Sequence, residues 1–168
     1  MIDELADAIA STHQNTHHLA LVGIANGGIP LALDMQKKLE KKMGRSLPLG
    51  TVNISFQRDD IGRNPIPKMA EHTSLPFAID QSSILLIDDV LFTGRTVRAG
   101  MNEIFDQGRP ARIELAILYD RGDRRLPIEP NFKGFSEKLD PRDTVKVHID
   151  PEDANHHRID ILPHEQRV

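Results

Sequence analysis

The feature that most constrains the fold is a pattern of strand, turn and helix near the middle of the chain. The apolar run 84–87 predicts a short buried strand, and it leads directly into the adjacent carboxylates Asp88 and Asp89. A turn containing Gly94 follows, and residues 96–107 carry apolar side chains at helical spacing. A strand that passes through a turn into a helix is the building unit of a parallel sheet.

The rest of the chain continues this alternation. Four further strands are predicted at residues 19–24, 51–56, 113–119 and 144–149, with residues 158–162 as an edge strand or return. Helices are predicted at residues 4–12 and 29–42, and Gly44 is expected to end the second. Residues 57–83 lack clear periodicity and are predicted to be a mobile cover or a hairpin excursion. The pattern favours an α/β fold whose mostly parallel central sheet has about five strands flanked by helices.

Composition limits the size of the protein and the class of its function. The 168 residues, 39% of them hydrophobic, suit a single domain over 1–168 with a buried core. The chain has no cysteine, which excludes disulfides and thiolate catalysis and fits the cytoplasm. It also has no apolar run near the roughly 20 residues of a membrane span, so no membrane partner is expected. The net charge of −4 does not favour nucleic acid as a partner.

The turn after the two aspartates has the chemistry of a phosphate site. Backbone N–H groups of residues 90–96 and the hydroxyls of Thr93 and Thr96 can donate to an anion at the start of a helix. Gly94 permits close approach of the backbone. The carboxylates could then accept from the 2′- and 3′-hydroxyls of a ribose. An ordinary helix cap is the alternative interpretation, whereas a Walker A loop and a dinucleotide fingerprint are both absent from the sequence.

Several segments together resemble a known family. They are residues 55–60 (SFQRDD), 88–101 (DDVLFTGRTVRAGM), 108–110 (GRP), 120–122 (DRG) and 126–128 (LPI). They are similar to the type I phosphoribosyltransferases, and in particular to the pyrimidine-operon regulator/uracil phosphoribosyltransferase (PyrR-type) family. The resemblance covers roughly residues 19–150. It implies the type I phosphoribosyltransferase fold with a flexible hairpin or loop cover and a small hood. It also implies an enzyme that makes UMP and pyrophosphate from uracil and phosphoribosyl pyrophosphate (PRPP) with Mg²⁺.

The resemblance assigns roles to individual residues. Asp88 and Asp89 would hold the ribose hydroxyls and, through water, Mg²⁺, and neither is expected to be a nucleophile. The 5-phosphate would be held by Val90, Leu91, Phe92, Thr93, Gly94, Arg95 and Thr96. Pyrophosphate would be held by Ala25, Asn26, Gly27 and Gly28, in a loop where one non-proline cis bond is common. Arg58 would be the catalytic residue of a loop that closes over pyrophosphate, and Asp120 and Arg121 would face the base.

Two places depart from the family's pattern. Phe92 stands where purine-using relatives carry an acid that serves the purine N7, and a phenyl ring cannot exchange a proton. This departure favours uracil over hypoxanthine or guanine. The pyrophosphate loop often contains a Lys or Arg, but here it reads Ala25, Asn26, Gly27. Backbone N–H groups of this loop could still bind the anion.

A second function implied by the resemblance is that of a transcription attenuator, which binds leader RNA when UMP is present. Such binding needs clustered basic side chains. The first helix instead carries Asp3, Glu4 and Asp7, and Glu129 and Phe135 stand where attenuator members tend to be basic. We therefore expect catalysis first and RNA binding second. A weakly catalytic or non-catalytic regulatory partner in pyrimidine synthesis is the third hypothesis.

Two basic segments could be either nucleic-acid patches or solvated surface. In residues 121–125 we expect Arg121 in the base pocket and the other charges at the surface. The four lysines at 37, 38, 41 and 42 are expected to form one solvated helix face. The family habit implies a homodimer or homotetramer.

Overall fold

The computed structural model describes residues 1–54, 72–150, 153 and 156–164. In chain order, its elements are α1 (Ile2–His13), β1 (Leu19–Ile24), α2 (Gly28–Met43), β2 (Leu49–Val52), β3 (Ser83–Leu91), α3 (Arg95–Gln107), β4 (Arg112–Asp120), β5 (Phe132–Ser136), β6 (Thr144–His148) and β7 (Arg158–Leu162). Within these residues, none of the helices combines the length and the apolar character needed to span a bilayer.

A five-stranded parallel sheet in the order β2-β1-β3-β4-β5 forms the centre of the molecule. Side chains alternate between its two faces. In β3, Leu85 and Ile87 pack with α1 and α2 on one face, while Ile84 and Leu86 pack with α3 on the other. Burial on both faces explains why the strand is a continuous apolar run. The predicted α/β fold with a mostly parallel sheet of about five strands is confirmed.

The sequence placed the fifth strand of this sheet wrongly. That strand is β5, which pairs with β4 and which the sequence did not predict. The predicted strand at 144–149 is instead β6, and it pairs antiparallel with β7 in a separate two-stranded sheet. β5 was missed because it is a short edge strand with mostly exposed side chains and a glycine, Gly134, at its centre. The alternating pattern of β6 identified a strand correctly but could not identify its partner.

Helix boundaries follow the sequence signals closely. All three helices begin and end within two residues of the predicted positions. Gly44 ends α2 with a positive φ of 67°, and its N–H donates to the Glu40 carbonyl at 2.9 Å. β2 is shorter than the predicted strand 51–56, because it ends at Val52. Residues 55–71, the first part of the predicted cover included, lie outside the described residues.

Candidate active site

The two aspartates lie at the carboxyl end of β3, in the middle of the sheet. β3 continues to Leu91, four residues beyond the predicted apolar run, and stays paired with β4 over this length. Asp88 is 4% exposed and Asp89 is half-buried. Each carboxylate accepts one backbone N–H: Asp88 Oδ1 from Asp89 at 3.0 Å, and Asp89 Oδ1 from Val90 at 2.8 Å. Ligands of open parallel sheets bind at this edge.

The loop between β1 and α2 is packed directly against these carboxylates. A Cβ at Gly27 would lie 2.2 Å from Asp89 Oδ2, and a Cβ at Gly28 would lie 2.4 Å from the Ile87 carbonyl. Real Cβ atoms do not approach other atoms so closely. A side chain at residue 27 would displace the Asp89 carboxylate, and position 28 requires glycine because its neighbour is backbone. Residues 25–28 and the aspartates therefore form one surface, and the sheet produces it because β1 and β3 are neighbours.

The same loop has a cis peptide bond between Ala25 and Asn26. It is also joined to the end of β2, because the Ala25 N–H donates to the Val52 carbonyl at 2.9 Å. Gly27 is the N-cap of α2, so the loop lies at the positive end of that helix dipole. A helix N-terminus, where an anion is favoured, therefore lies beside the aspartates.

A bend at residues 92–94 connects β3 to α3 and does not continue the helix. Gly94 has φ 89°, the left-handed conformation that favours glycine, and α3 begins at Arg95. The Thr93 hydroxyl accepts the Arg95 N–H at 3.3 Å. This turn and the first turn of α3 present backbone amides at a helix N-terminus, which is a favourable environment for phosphate.

Residues 121–128, which follow β4, pack against this bend and hydrogen-bond to it. The Thr93 carbonyl accepts backbone N–H groups from Arg125 at 3.0 Å and from Leu126 at 3.2 Å. The side chains of Leu126 and Ile128 lie so close to Gly94 that an added Cβ would be 3.4 and 3.3 Å from them. The bend at residues 92–94 and the loop at residues 121–128 therefore pack as a single unit.

Arg124 is the side chain that joins these two loops. Its Nη2 donates to Asp120 Oδ1 at 2.6 Å, its Nη1 to the Phe92 carbonyl at 3.0 Å and its Nε to the Ile128 carbonyl at 2.9 Å. Only 15% of the side chain is exposed. The expectation that Arg124 is a solvated surface charge is wrong, because its side chain is mostly buried and donates to a carbonyl 32 residues earlier in the chain, that of Phe92. Asp120 also accepts the Gly122 N–H at 2.9 Å.

Arg121 and Phe92 form the other contact between the two loops. The guanidinium carbon of Arg121 lies 4.1 Å from the centre of the Phe92 ring, a cation–π contact. Arg121 is 6% exposed and its Nη2 donates to the Asp140 carbonyl at 3.1 Å. Its buried Nε has no hydrogen-bond partner among the described residues. Arg121, which we predicted to face the base, therefore lies against Phe92. Phe92 is the position where the resemblance implies an acid in purine-using relatives.

Tyr119, which precedes Asp120 in β4, has a buried phenol whose pKa is raised. Burial, followed by its hydrogen bond to Glu137, raises the pKa of the Tyr119 phenol to about 12. Its hydroxyl donates to Glu137 Oε2 at 2.9 Å. The phenol therefore remains protonated and has a structural role.

Comparison with known proteins identifies the family. The sequence model of the phosphoribosyl transferase domain matches residues 1–156. The bifunctional protein PyrR of Syntrophobacter fumaroxidans is 40% identical over 153 residues, which are 91% of this chain and 82% of that protein. The bifunctional protein PyrR of Thermus aquaticus is 39% identical over 150 residues, 89% of this chain and 83% of that one. This chain belongs to the PyrR-type phosphoribosyltransferases.

Solved structures show the same fold at much lower sequence identity. A glutamine mutant from an analysis of an invariant aspartic acid in HPRTs has a TM-score of 0.70 at 18% identity, covering 98% of this chain and 89% of that one. The hypoxanthine phosphoribosyltransferase of Trypanosoma cruzi, in complex with the product IMP, has a TM-score of 0.61 at 17% identity. It covers 82% of this chain and 70% of that one. The type I phosphoribosyltransferase fold is confirmed for this PyrR-type chain.

Most of the residues predicted for the PyrR-type site lie together. Asp88 and Asp89, the loop 25–28, the turn 90–96 and the pair Asp120 and Arg121 all lie at the carboxyl edge of the sheet. Arg58 lies outside the described residues. Sequence reasoning missed the role of Arg124, and the only available signal was its position four residues after Asp120, a spacing that allows an ion pair in a tight turn.

Proposed function

We propose that this chain transfers the 5-phosphoribosyl group of PRPP to uracil, with Mg²⁺, and releases UMP and pyrophosphate. One observation carries the proposal: a half-buried carboxylate, Asp89, lies in contact with Gly27 and only three residues before the bend at 92–94. PRPP has the same order of groups, since its ribose lies between a pyrophosphate and a 5-phosphate. The carboxylates match the hydroxyls of the sugar, and the two amide-rich loops match its two anionic ends.

In this proposal the ribose is held by Asp88 and Asp89, which accept hydrogen bonds from the 2′- and 3′-hydroxyls. The 5-phosphate is bound by the turn Val90, Leu91, Phe92, Thr93, Gly94, Arg95 and Thr96. The leaving pyrophosphate is bound by Ala25, Asn26, Gly27 and Gly28. Backbone amides and a helix dipole supply the charge complementarity at this loop, because it contains no basic side chain.

The aspartates also suit Mg²⁺, which prefers oxygen ligands and commonly binds through one or two carboxylates together with substrate phosphates. The glycine contact supports this fit, since a side chain at residue 27 would fill the space beside Asp89. Asp88 and Asp89 would hold the ion through water. When bound, Mg²⁺ neutralises charge on pyrophosphate as it leaves.

For the base, we propose that Arg121 and Phe92 form one wall of the pocket. Asp120 contributes indirectly, because it anchors the loop at residues 121–128. The phenyl ring of Phe92 has no proton to exchange with a purine N7. A pyrimidine needs no such partner, so uracil is the base that this wall accepts. The bond from the anomeric carbon to pyrophosphate breaks, with its electron pair leaving on pyrophosphate, as the bond to the uracil nitrogen forms. The proton of that nitrogen is released to solvent. The protein contributes by orienting the two reactants and by stabilising charge in the transition state.

A direct assay tests the proposal. Purified protein should form UMP from uracil and PRPP in the presence of Mg²⁺. The variants Asp88→Asn and Asp89→Asn should lose about 100-fold or more in kcat/KM, because each removes a charge aimed at the reacting sugar. Asp106→Asn, an exposed position on α3, is the matched control and should behave as wild type. Absence of UMP from the wild-type protein at millimolar substrates would contradict the proposal.

A second candidate function is UMP-dependent RNA binding, because the relatives are bifunctional proteins and because the charge of α1 is partly neutralised. Asp3 and Asp7 are paired with Lys38 at 2.6 Å and Lys42 at 2.5 Å. Two of the four lysines on this helix face therefore have ion-pair partners on α1. UMP should strengthen binding to a pyrimidine-operon leader hairpin, and the affinity should fall with salt. A flat titration at low salt excludes this function.

The third hypothesis, a regulatory partner without turnover of its own, makes a different prediction. Such a protein would co-purify with another enzyme of pyrimidine synthesis and would form no UMP alone. The uracil assay separates this hypothesis from the first.

A further inference from the structure

We propose that Arg124 is a positioning residue, which orients the backbone amides of the 5-phosphate turn without touching substrate. The inference rests on the proposed function, because it concerns how that same site is held. The guanidinium has four acceptors, of which the Gly122 carbonyl at 3.3 Å is the most distant. The other three are Asp120 at the end of β4, Phe92 in the turn and Ile128 in the following loop. All three contacts lie between 2.6 and 3.0 Å.

The geometry of the peptide unit explains why the contact to Phe92 matters. A trans peptide is planar, and its C=O and N–H point in opposite directions. The carbonyl of Phe92 and the N–H of Thr93 belong to the same peptide unit. Because Arg124 holds that carbonyl on the side of residues 121–128, the Thr93 N–H points away from those residues.

The next peptide unit is fixed in the same way. The Thr93 carbonyl accepts the N–H groups of Arg125 and Leu126, so the Gly94 N–H also points away from the loop. Two successive amides on one side of a turn form an anion-binding concavity. A carbonyl turned to that side would repel a phosphate instead. Arg124 thus prevents rotation of the Phe92–Thr93 peptide unit, which would replace the Thr93 N–H donor by the Phe92 carbonyl acceptor on the side where phosphate binds.

The contact to Asp120 keeps Arg124 in place. The pair is almost completely buried, with side-chain exposures of 15% for Arg124 and 5% for Asp120. Hydrogen bonds between charged groups are shorter and stronger than neutral ones. The guanidinium offers donors in a rigid plane, and a lysine ammonium at this position cannot reach all three acceptors. Charge alone is therefore insufficient for the role we assign.

The test is Arg124→Lys, which preserves the charge that pairs with Asp120. The expected result is a rise of about 10-fold to 100-fold in the KM for PRPP and in the Kd for UMP, because a small misplacement of a binding group costs that much. Both ligands carry the 5-phosphate. Inhibition by pyrophosphate, which binds at residues 25–28, should change by less than about twofold, as expected for an independent site.

The matched control is Arg125→Lys at the adjacent residue. The Arg125 side chain is 64% exposed and lies 3.9 Å from Asp123, and its backbone N–H to Thr93 is retained in the variant. It should leave all three constants unchanged. The inference is overturned if Arg124→Lys behaves like Arg125→Lys. It is also overturned if Arg124→Lys weakens pyrophosphate as much as UMP, since that result indicates a general structural role.

Failure of the proposed function gives a different result. If the wild-type protein forms no UMP, the proposed reaction is wrong, but titration calorimetry with UMP and with pyrophosphate still compares the variants. If Arg124→Lys does not fold, Asp120→Asn replaces it, because that change removes the charge partner of Arg124 and keeps an acceptor for Gly122. Asp120→Asn should also weaken UMP selectively, and an unchanged UMP affinity in this folded variant would overturn the inference.

Discussion

The two ends of the parallel sheet contain charged side chains in different environments. At the carboxyl end, Asp89 is half-buried beside a loop of glycines and faces the edge where ligands bind. At the amino end, His13 and Glu114 are 2% and 6% exposed, with Nε2 and Oε2 3.2 Å apart. This contact is within ion-pair distance although it does not meet hydrogen-bond geometry. The carboxyl end leaves one carboxylate, Asp89, partly exposed at the edge of the sheet, whereas the amino end encloses both members of its pair.

The cluster at the amino end, formed by His13, Arg45, Arg112 and Glu114, is held by contacts within the protein, although His13 Nε2 and Arg45 Nε have no hydrogen-bond partner among the described residues. Arg112 Nη2 donates to Glu114 Oε1 at 2.8 Å. Arg45 Nη2 donates to the carbonyls of His13 at 3.1 Å and Thr16 at 2.7 Å, which closes the end of α1. Because the pair at the amino end is enclosed, we expect substitutions there to change the free energy of unfolding. Substitutions at the carboxyl end should instead change activity.

The largest effect is expected from Glu114→Ala at the amino end. The change leaves the buried His13 ring and Arg112 without their common partner, and leaving a buried polar group unsatisfied costs up to about 3 kcal/mol. Urea unfolding should show this loss, while kcat/KM per folded molecule stays as in wild type. Arg112→Ala is the comparison variant and should cost less than Glu114→Ala, because the Arg112 side chain is 60% exposed and an exposed charge contributes less to an ion pair. Equal effects of the two variants would contradict the comparison.

At the carboxyl end, Gly27→Ala should reduce kcat/KM by about 100-fold, since the new Cβ displaces the Asp89 carboxylate and misplaced groups are costly. The control lies at the opposite end of the same helix. Gly44→Ala meets no atom within 4 Å but strains a left-handed residue, which costs about 1 kcal/mol and leaves activity unchanged. If Gly27→Ala keeps full activity, the loop and the aspartates do not form one site.

A smaller effect concerns pH and belongs to the amino end. Burial lowers the pKa of His13 below its ordinary value of 6.5, although Glu114 partly opposes the shift. The unfolded chain then binds a proton that the folded chain does not. Stability is therefore fully present above about 6.5 and is lost as pH falls through the lower pKa of the folded state. Urea unfolding between pH 8 and pH 5 should show a flatter profile in His13→Gln than in wild type.

The smallest effect is expected on the helix surface. Lys38→Ala removes the ion pair with Asp3, whose side chain is 72% exposed. Such pairs contribute less than about 1 kcal/mol. The free energy of unfolding and kcat/KM should both stay close to wild type. A loss comparable to that of Glu114→Ala would show that burial does not govern the difference between the pairs.

Much of this architecture could be predicted from local sequence signals. Strands buried on both faces are continuous apolar runs, and glycine at a helix end fixes the boundary, as at Gly44. The two aspartates and the turn with Gly94 were identifiable because strand, acids and turn are contiguous. Their position at the carboxyl edge then follows from the parallel sheet.

The missing parts depend on contacts between distant segments. β5 could not be assigned to the main sheet from the sequence, because its side chains are mostly exposed. Its strand character depends on its pairing with β4. Arg124 could not be distinguished from Arg125, since both are basic residues of one turn. Only the fold brings Phe92 and Ile128 to the first and leaves the second in solvent. The ion pairs between α1 and α2 could likewise not be predicted from the sequence, because they depend on how the two helices pack.

The most direct test of the account is the binding of PRPP itself. Titration calorimetry with PRPP and Mg²⁺ in the absence of uracil should show a single site on the wild-type protein. The double variant Asp88→Asn/Asp89→Asn should bind at least about 10-fold more weakly, because hydrogen bonds to charged groups contribute about 1.5 to 3 kcal/mol. Equal affinities would show that the ribose does not lie against these carboxylates, and would contradict the account.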